Sequence, residues 1–254
     1  MIHPTALISK IAKIGANVSV GAYTIIHDDV EIGDNTTIDA YCEIGYPTPR
    51  AIGQPLSIGK GALIRSHCIF YQGSVFGPKL VTGHHVTARE GTQAGANLQI
   101  GTLCDIQGTC QIGDYVRFHS NVHIGQHSKV GNFVWIFPYV VLTNDPHPPS
   151  NFLRGVVIHE YAVIATMSVI LPGVEVGVGA LVAAHSSVSR NVEPYTVVAG
   201  TPAKYMCKAE EIMLKDGSGR SAYPWRRHFI RGYPDQVTAV WLAEFGEGKL
   251  GKTS

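Results

Sequence analysis

Apolar side chains recur at every sixth position along most of this chain. They run from Ile2, Ile8, Ile14 and Val20 to Ile44, resume at Ile58 and continue through Phe70, Ile100 and Ile136 to Leu142. A third run goes from Ile158 to Val188, and within the long middle run only Thr82, Ala88 and Ala94 are not large and apolar. A period of six fits neither an amphipathic helix nor a hairpin protein. It predicts short strands joined by tight turns, with one aliphatic residue per hexad facing inward and three hexads closing one coil. Coils of that kind stack at the strand spacing of about 4.8 Å. Glycine often follows the inward residue, as at Gly15, Gly21, Gly33 and Gly101. The expectation is that these glycines supply the positive φ of the coil corners.

Two interruptions break the period, between Ile44 and Ile58 and between Leu142 and Ile158. Neither gap is a multiple of six, so each predicts a loop pushed out of the coil, near 46–57 and 145–157. Both loops are rich in proline (Tyr46-Pro47-Thr48-Pro49-Arg50 and Asp145-Pro146-His147-Pro148-Pro149-Ser150). Loops on a rigid scaffold are where binding usually sits. The repeat region is expected to span 1–204. A tail over 205–254 follows, with short helices at Ala209–Leu214 and Asp235–Phe245, the latter presenting Val237, Val240, Trp241 and Phe245 on one face. Between them lies the aromatic and basic run Tyr223-Pro224-Trp225-Arg226-Arg227-His228. The tail is expected to cover the coil or a neighbouring subunit.

The hexad pattern resembles the hexapeptide-repeat acyltransferase family over roughly residues 2–200. That resemblance implies an all-β, left-handed parallel β-helix assembled as a homotrimer, with active sites between subunits.

Composition narrows the function classes. Lysine and arginine number 20 against 19 acidic residues, a net charge of +1, which argues against nucleic acid or an anionic membrane as the main partner. The charged fraction is 15%, below the roughly 25% of ordinary globular chains. No apolar run reaches the roughly 18 residues of a membrane span. Met1-Ile2-His3-Pro4-Thr5 carries no basic-then-apolar leader, so a cytoplasmic protein is expected. Five cysteines without a CxxC pair read as free thiols.

Candidate chemistry comes from stacking the coils. Steps of eighteen residues relate Asn144 to Gln126 and Glu90, and Asp145 to His127. These five polar side chains are expected along one edge, beside the second loop. The segment Asn121-Val122-His123-Ile124-Gly125-Gln126-His127 resembles the catalytic segment of UDP-N-acetylglucosamine acyltransferases, with Gln126 standing where their general-base histidine stands. Glutamine cannot take a proton at neutral pH, and a hydroxyl nucleophile needs a base where a neutral amine does not. Thr143-Asn144-Asp145 and Thr82–Glu90 resemble segments of N-acyltransferases acting on nucleotide-linked amino sugars.

The expected reaction is therefore transfer of an acetyl or other short acyl group from coenzyme A to an amine of a nucleotide-linked deoxy amino sugar. Asp145, Asn144, His147 and Glu90 carry the chemistry in this reading, and Gln126, His127, His84 and His123 contact the substrate. Ala199-Gly200-Thr201-Pro202-Ala203-Lys204 resembles the closing loop of acetyl-coenzyme A-dependent members, which implies Lys204, Ala165 and Ala183 as coenzyme contacts. No metal is expected, since His119, His123 and His127 are spaced by four and lack the pair spaced by five that a zinc enzyme of this fold shows. Two alternatives remain open. One is O-acylation of a UDP-amino sugar from acyl carrier protein, favoured by length and tail and opposed by Gln126. The other is a non-enzymatic assembly subunit.

Overall fold

The computed structural model describes residues 1–227 and 233–245. The chain winds into a parallel β-solenoid whose strands, mostly two residues long, stack into three sheets of ten, nine and eleven strands. The first face begins with Leu7–Ile8, the second with Lys13–Ile14 and the third with Ser19–Val20. Successive coils pair in register, as in Asp105↔His123 and Ile106↔Ile124. The eleventh strand of the third face, Lys204–Lys208, turns back antiparallel on Thr196–Ala199 and ends the coil.

The inward column forms one continuous buried core. Two of its small members have a packing reason. Ala88 lies in register against Phe70 and Ala94 against Phe76, and the two phenylalanine rings meet edge to face at 5.0 Å. The bulk of one coil is thus absorbed by the next, as close-packed interiors require.

The glycines act differently from the expectation. Gly15, Gly21, Gly33 and Gly101 do not have positive φ; a Cβ on Gly33 would meet the Lys60 backbone nitrogen at 2.4 Å, and one on Gly101 the His119 carbonyl carbon at 2.4 Å. They permit close approach of neighbouring coils. The left-handed corner positions are held instead by residues such as Asn17, Tyr23, Tyr41, His67 and His85. Side chains there stack along the prism edge, which offsets the backbone cost. Tyr23, Tyr41, His67 and His85 form one such ladder, with centroids 5.2, 5.1 and 4.6 Å apart.

A second ladder, Tyr115–Phe133–Tyr161, runs along the edge between the second and third faces, and the tail covers it. Trp225, Tyr233 and Trp241 pack there in a separate cluster. Trp135 Nε1 donates to Tyr233 Oη at 2.5 Å, and the Arg117 guanidinium lies over both rings. Among the described residues the tail contains two 3-10 turns, Ala209–Glu211 in place of the helix expected over Ala209–Leu214 and Trp225–Arg227, and one α-helix, Asp235–Phe245. Val237 and Trp241 face the cluster, whereas Val240 is exposed, because packing falls on a narrower stripe than the four-residue face expected. His228, the Phe245 side chain and residues 246–254 lie outside the described residues.

Candidate functional site

The edge between the first and second faces gathers the predicted polar residues. Both extruded loops leave the coil here. Gln126 Nε2 donates to Thr109 Oγ1 at 3.4 Å, and Gly125 is packed so tightly on the next coil that a Cβ would meet Leu142 O at 2.5 Å and the Asn144 side chain at 3.2 Å. Gly155, at the return of the second loop, lies against the His127 backbone in the same way. Eighteen-residue stacking therefore brings Glu90, Gln126, His127, Asn144 and Asp145 to one edge. His84 lies on the opposite edge of the first face, where its Nδ1 pairs with Ser66 Oγ at 2.8 Å.

The two acidic residues expected to act differ in what they touch. Asp145 accepts from the His147 and Ser150 backbone N–H groups, each at 3.0 Å, and from Ser150 Oγ at 2.6 Å. These bonds, led by the Ser150 hydroxyl, hold its carboxyl below the usual range, so it stays ionised as the internal cap of its own loop. His147 is exposed at the loop tip. Glu90 is 4% exposed and receives Arg89 Nη2 at 3.1 Å, Arg89 Nε at 3.3 Å and Arg50 Nη1 at 3.4 Å. Arg50 comes from the first loop, where Thr48 caps the turn Pro49–Ala51.

Sequence reasoning missed the acid–base pair on the first face. His123 and Asp105 are register partners on adjacent coils, and His123 Nδ1 lies 3.1 Å from Asp105 Oδ2. Gln107 Nε2 donates to the same carboxylate oxygen. Burial works to raise the Asp105 carboxyl. The hydrogen bonds from His123 and Gln107 and the charges of His123 and Arg89 outweigh it and hold Asp105 below its ordinary value. With an ionised acceptor on Nδ1, the neutral ring carries its proton there and leaves Nε2 as a base. Nε2 has no hydrogen-bond partner among the described residues, and the side chain is 39% exposed. The signal was available: subtracting eighteen from His123 gives Asp105, outside the column first followed.

Lys204, Ala165 and Ala183 lie elsewhere. The two alanines continue adjacent strands of the third face, and Lys204 opens its last strand. Within one chain they belong to the third face, whereas the His123 pair lies on the first. Among the described residues no three His, Cys, Asp or Glu side chains gather as for a metal, and no helix is long and apolar enough to cross a membrane.

Comparison with known proteins bears on the chemistry. The family model "Bacterial transferase hexapeptide (six repeats)" matches residues 11–46. The acyl-[acyl-carrier-protein]–UDP-N-acetylglucosamine O-acyltransferase of Rickettsia bellii is 33% identical over 139 residues, covering 51% of this chain and 43% of that protein. The enzyme of the same name from Saccharophagus degradans is 33% identical over 135 residues, with 52% and 48% covered. The matched segment spans less than half of these relatives. Among solved structures, the Arabidopsis UDP-N-acetylglucosamine acyltransferase superposes with a TM-score of 0.70 at 20% identity, covering 96% of this chain and 89% of that one. The Bacteroides fragilis UDP-N-acetylglucosamine acyltransferase gives 0.56 at 16% identity, covering 94% and 81%. Both are likenesses of fold.

The named relatives transfer an acyl group from carrier protein to oxygen, which overturns the expected coenzyme A-dependent N-acylation. Acetyl-coenzyme A as the expected donor falls with it. An amine acceptor was expected because Gln126 leaves the site without a base, but His123 stands three residues before it in the same coil with a carboxylate behind it.

Proposed function

We propose that this chain, whose residues 11–46 match the hexapeptide-repeat transferase model, transfers an acyl group from acyl carrier protein to a hydroxyl of a UDP-linked N-acetyl amino sugar. The observation that carries this reading is the His123–Asp105 pair, joined to the likeness with named O-acyltransferases. In the proposed step the sugar hydroxyl oxygen attacks the thioester carbonyl while His123 Nε2 takes its proton. The tetrahedral adduct then expels the carrier's thiolate, and His123 returns the proton to sulfur. Asp105 keeps the ring in the required tautomer and stabilises the imidazolium that forms. Gln126 and Asn144, on the adjoining edge, hold the sugar. The proposed assembly is a homotrimer, to be checked by the mass of the particle in solution.

The test is a donor and acceptor panel: acyl carrier protein against coenzyme A thioesters, and UDP-N-acetylglucosamine against nucleotide sugars bearing a free amine. The expected product is an alkali-labile ester formed from the carrier-protein donor. Amide formation from coenzyme A alone would refute the reading.

A further inference from the structure

A continuous chain of polar contacts runs from the first extruded loop to the proposed base. It begins at Arg50, passes through buried Glu90 to Arg89, and continues by Gln107 to Asp105 and His123. Each link has a direction fixed by chemistry. Glu90 is acceptor-only when ionised, and its two oxygens take Arg89 Nη2 and Nε as a fork. That grip points Nη1 at Gln107 Oε1, 3.4 Å away, while the guanidinium lies 5.7 Å from the Tyr71 ring centroid. An amide whose oxygen faces a guanidinium must turn its NH2 the other way, toward the Asp105 carboxylate. Asp105 Oδ2 then receives Gln107 and His123 together, and His123 must protonate at Nδ1 to make its bond.

We infer that Arg89 is a positioning residue for the acyl transfer: anchored by Glu90, it fixes the amide of Gln107, through it the Asp105 carboxylate, and so the tautomer of His123. The inference rests on His123 as base in the reaction proposed above. It explains why a carboxylate with only 6% of its side chain exposed is kept on this edge, since buried charge persists where it is paired and fully bonded. It also explains why the fork matters: lysine, a point charge, could meet Glu90 or Gln107 but not hold both in one plane.

The experiment uses the full chain labelled with 15N-histidine. Long-range 1H–15N correlation reads the His123 tautomer, assigned by loss of its signals in His123→Gln. Wild type is expected to show Nδ1–H with an unprotonated Nε2. Arg89→Met and Arg89→Lys are expected to give a mixture of tautomers, with kcat lower by ~100-fold and KM for the sugar nucleotide changed by less than about twofold. Should Arg89→Met fail to fold, Gln107→Leu cuts the same relay one step later and leaves the Arg89–Glu90 pair intact. An unchanged tautomer in the folded variants overturns the inference, whatever their activity. The tautomer readout needs no turnover. A tautomer shift in a protein that forms no ester therefore supports the relay and removes the acyl-transfer reading, while ester formation with an unmoved tautomer does the reverse.

Discussion

The two extruded loops look alike in sequence and act differently in the fold. Both interrupt the hexad period, are rich in proline and leave the same edge. The first is clasped to the coil: Ala51 is buried, Gly73 N donates to Gln54 O at 3.0 Å, and Arg50 reaches Glu90. Its charge is delivered to the face that carries His123. The second spends its charge on itself, with Asp145 binding the His147 and Ser150 segment, and Phe152 left 67% exposed. An insertion on a rigid scaffold therefore serves the neighbouring face only when its polar side chains have no nearer partner within the loop.

That contrast can be broken most sharply by exchange of the acting group. His123→Ala should lower kcat by about 10²–10⁴-fold, the usual worth of a general base. Asp145→Ala should cost less than about tenfold, an effect of loop disorder rather than lost chemistry. Steady-state kinetics on the two variants side by side decide the matter; a larger loss in Asp145→Ala would return the chemistry to the second loop.

Stability gives the next contrast. Glu90→Ala strands Arg89 in a half-covered setting, and urea denaturation should register a loss of about 2 kcal/mol. If the urea midpoint stays at the wild-type value, the first loop is not anchored as described.

The pH dependence follows from Asp105. Its native carboxyl lies below the ordinary value near 3.9, so its contribution to folding is present above that value and is lost as pH falls through the lower native one. The stability gap between wild type and Asp105→Asn should accordingly be level at neutral pH and close below about pH 4. A gap that stays open well below about pH 3 contradicts the pairing.

The smallest effect belongs to Arg50→Ala. That side chain is 62% exposed and makes one 3.4 Å contact, so thermal or urea unfolding should move by no more than about 0.5 kcal/mol.

The solenoid was legible because the inward column is a one-dimensional signal. Each hexad repeats the same choice, and eighteen-residue stacking placed Glu90, Gln126 and Asn144 on one edge without any coordinates. What glycine does at Gly33 and Gly101 was not legible, since a clash with the next coil depends on coil separation rather than on local turn type. The tail's Trp225, Tyr233 and Trp241 cluster was anticipated only as a covering element, its partners Tyr115, Phe133 and Tyr161 being spread over three coils. The site was half legible. Stacking applied to the edge found the loop residues, but the face beside it holds Asp105 and His123, which pair because strand registers align, not because either stands out in sequence. The internal cap at Asp145 was readable in principle, since Asp followed by an N–H two residues on is a common local turn.

The most direct test of the account is the rate of ester formation from acyl carrier protein thioester and UDP-N-acetylglucosamine, measured in single turnover for wild type and His123→Ala together. Ester is expected from the wild type, with a loss of at least about a hundredfold in the variant. Equal rates in the two proteins would contradict it.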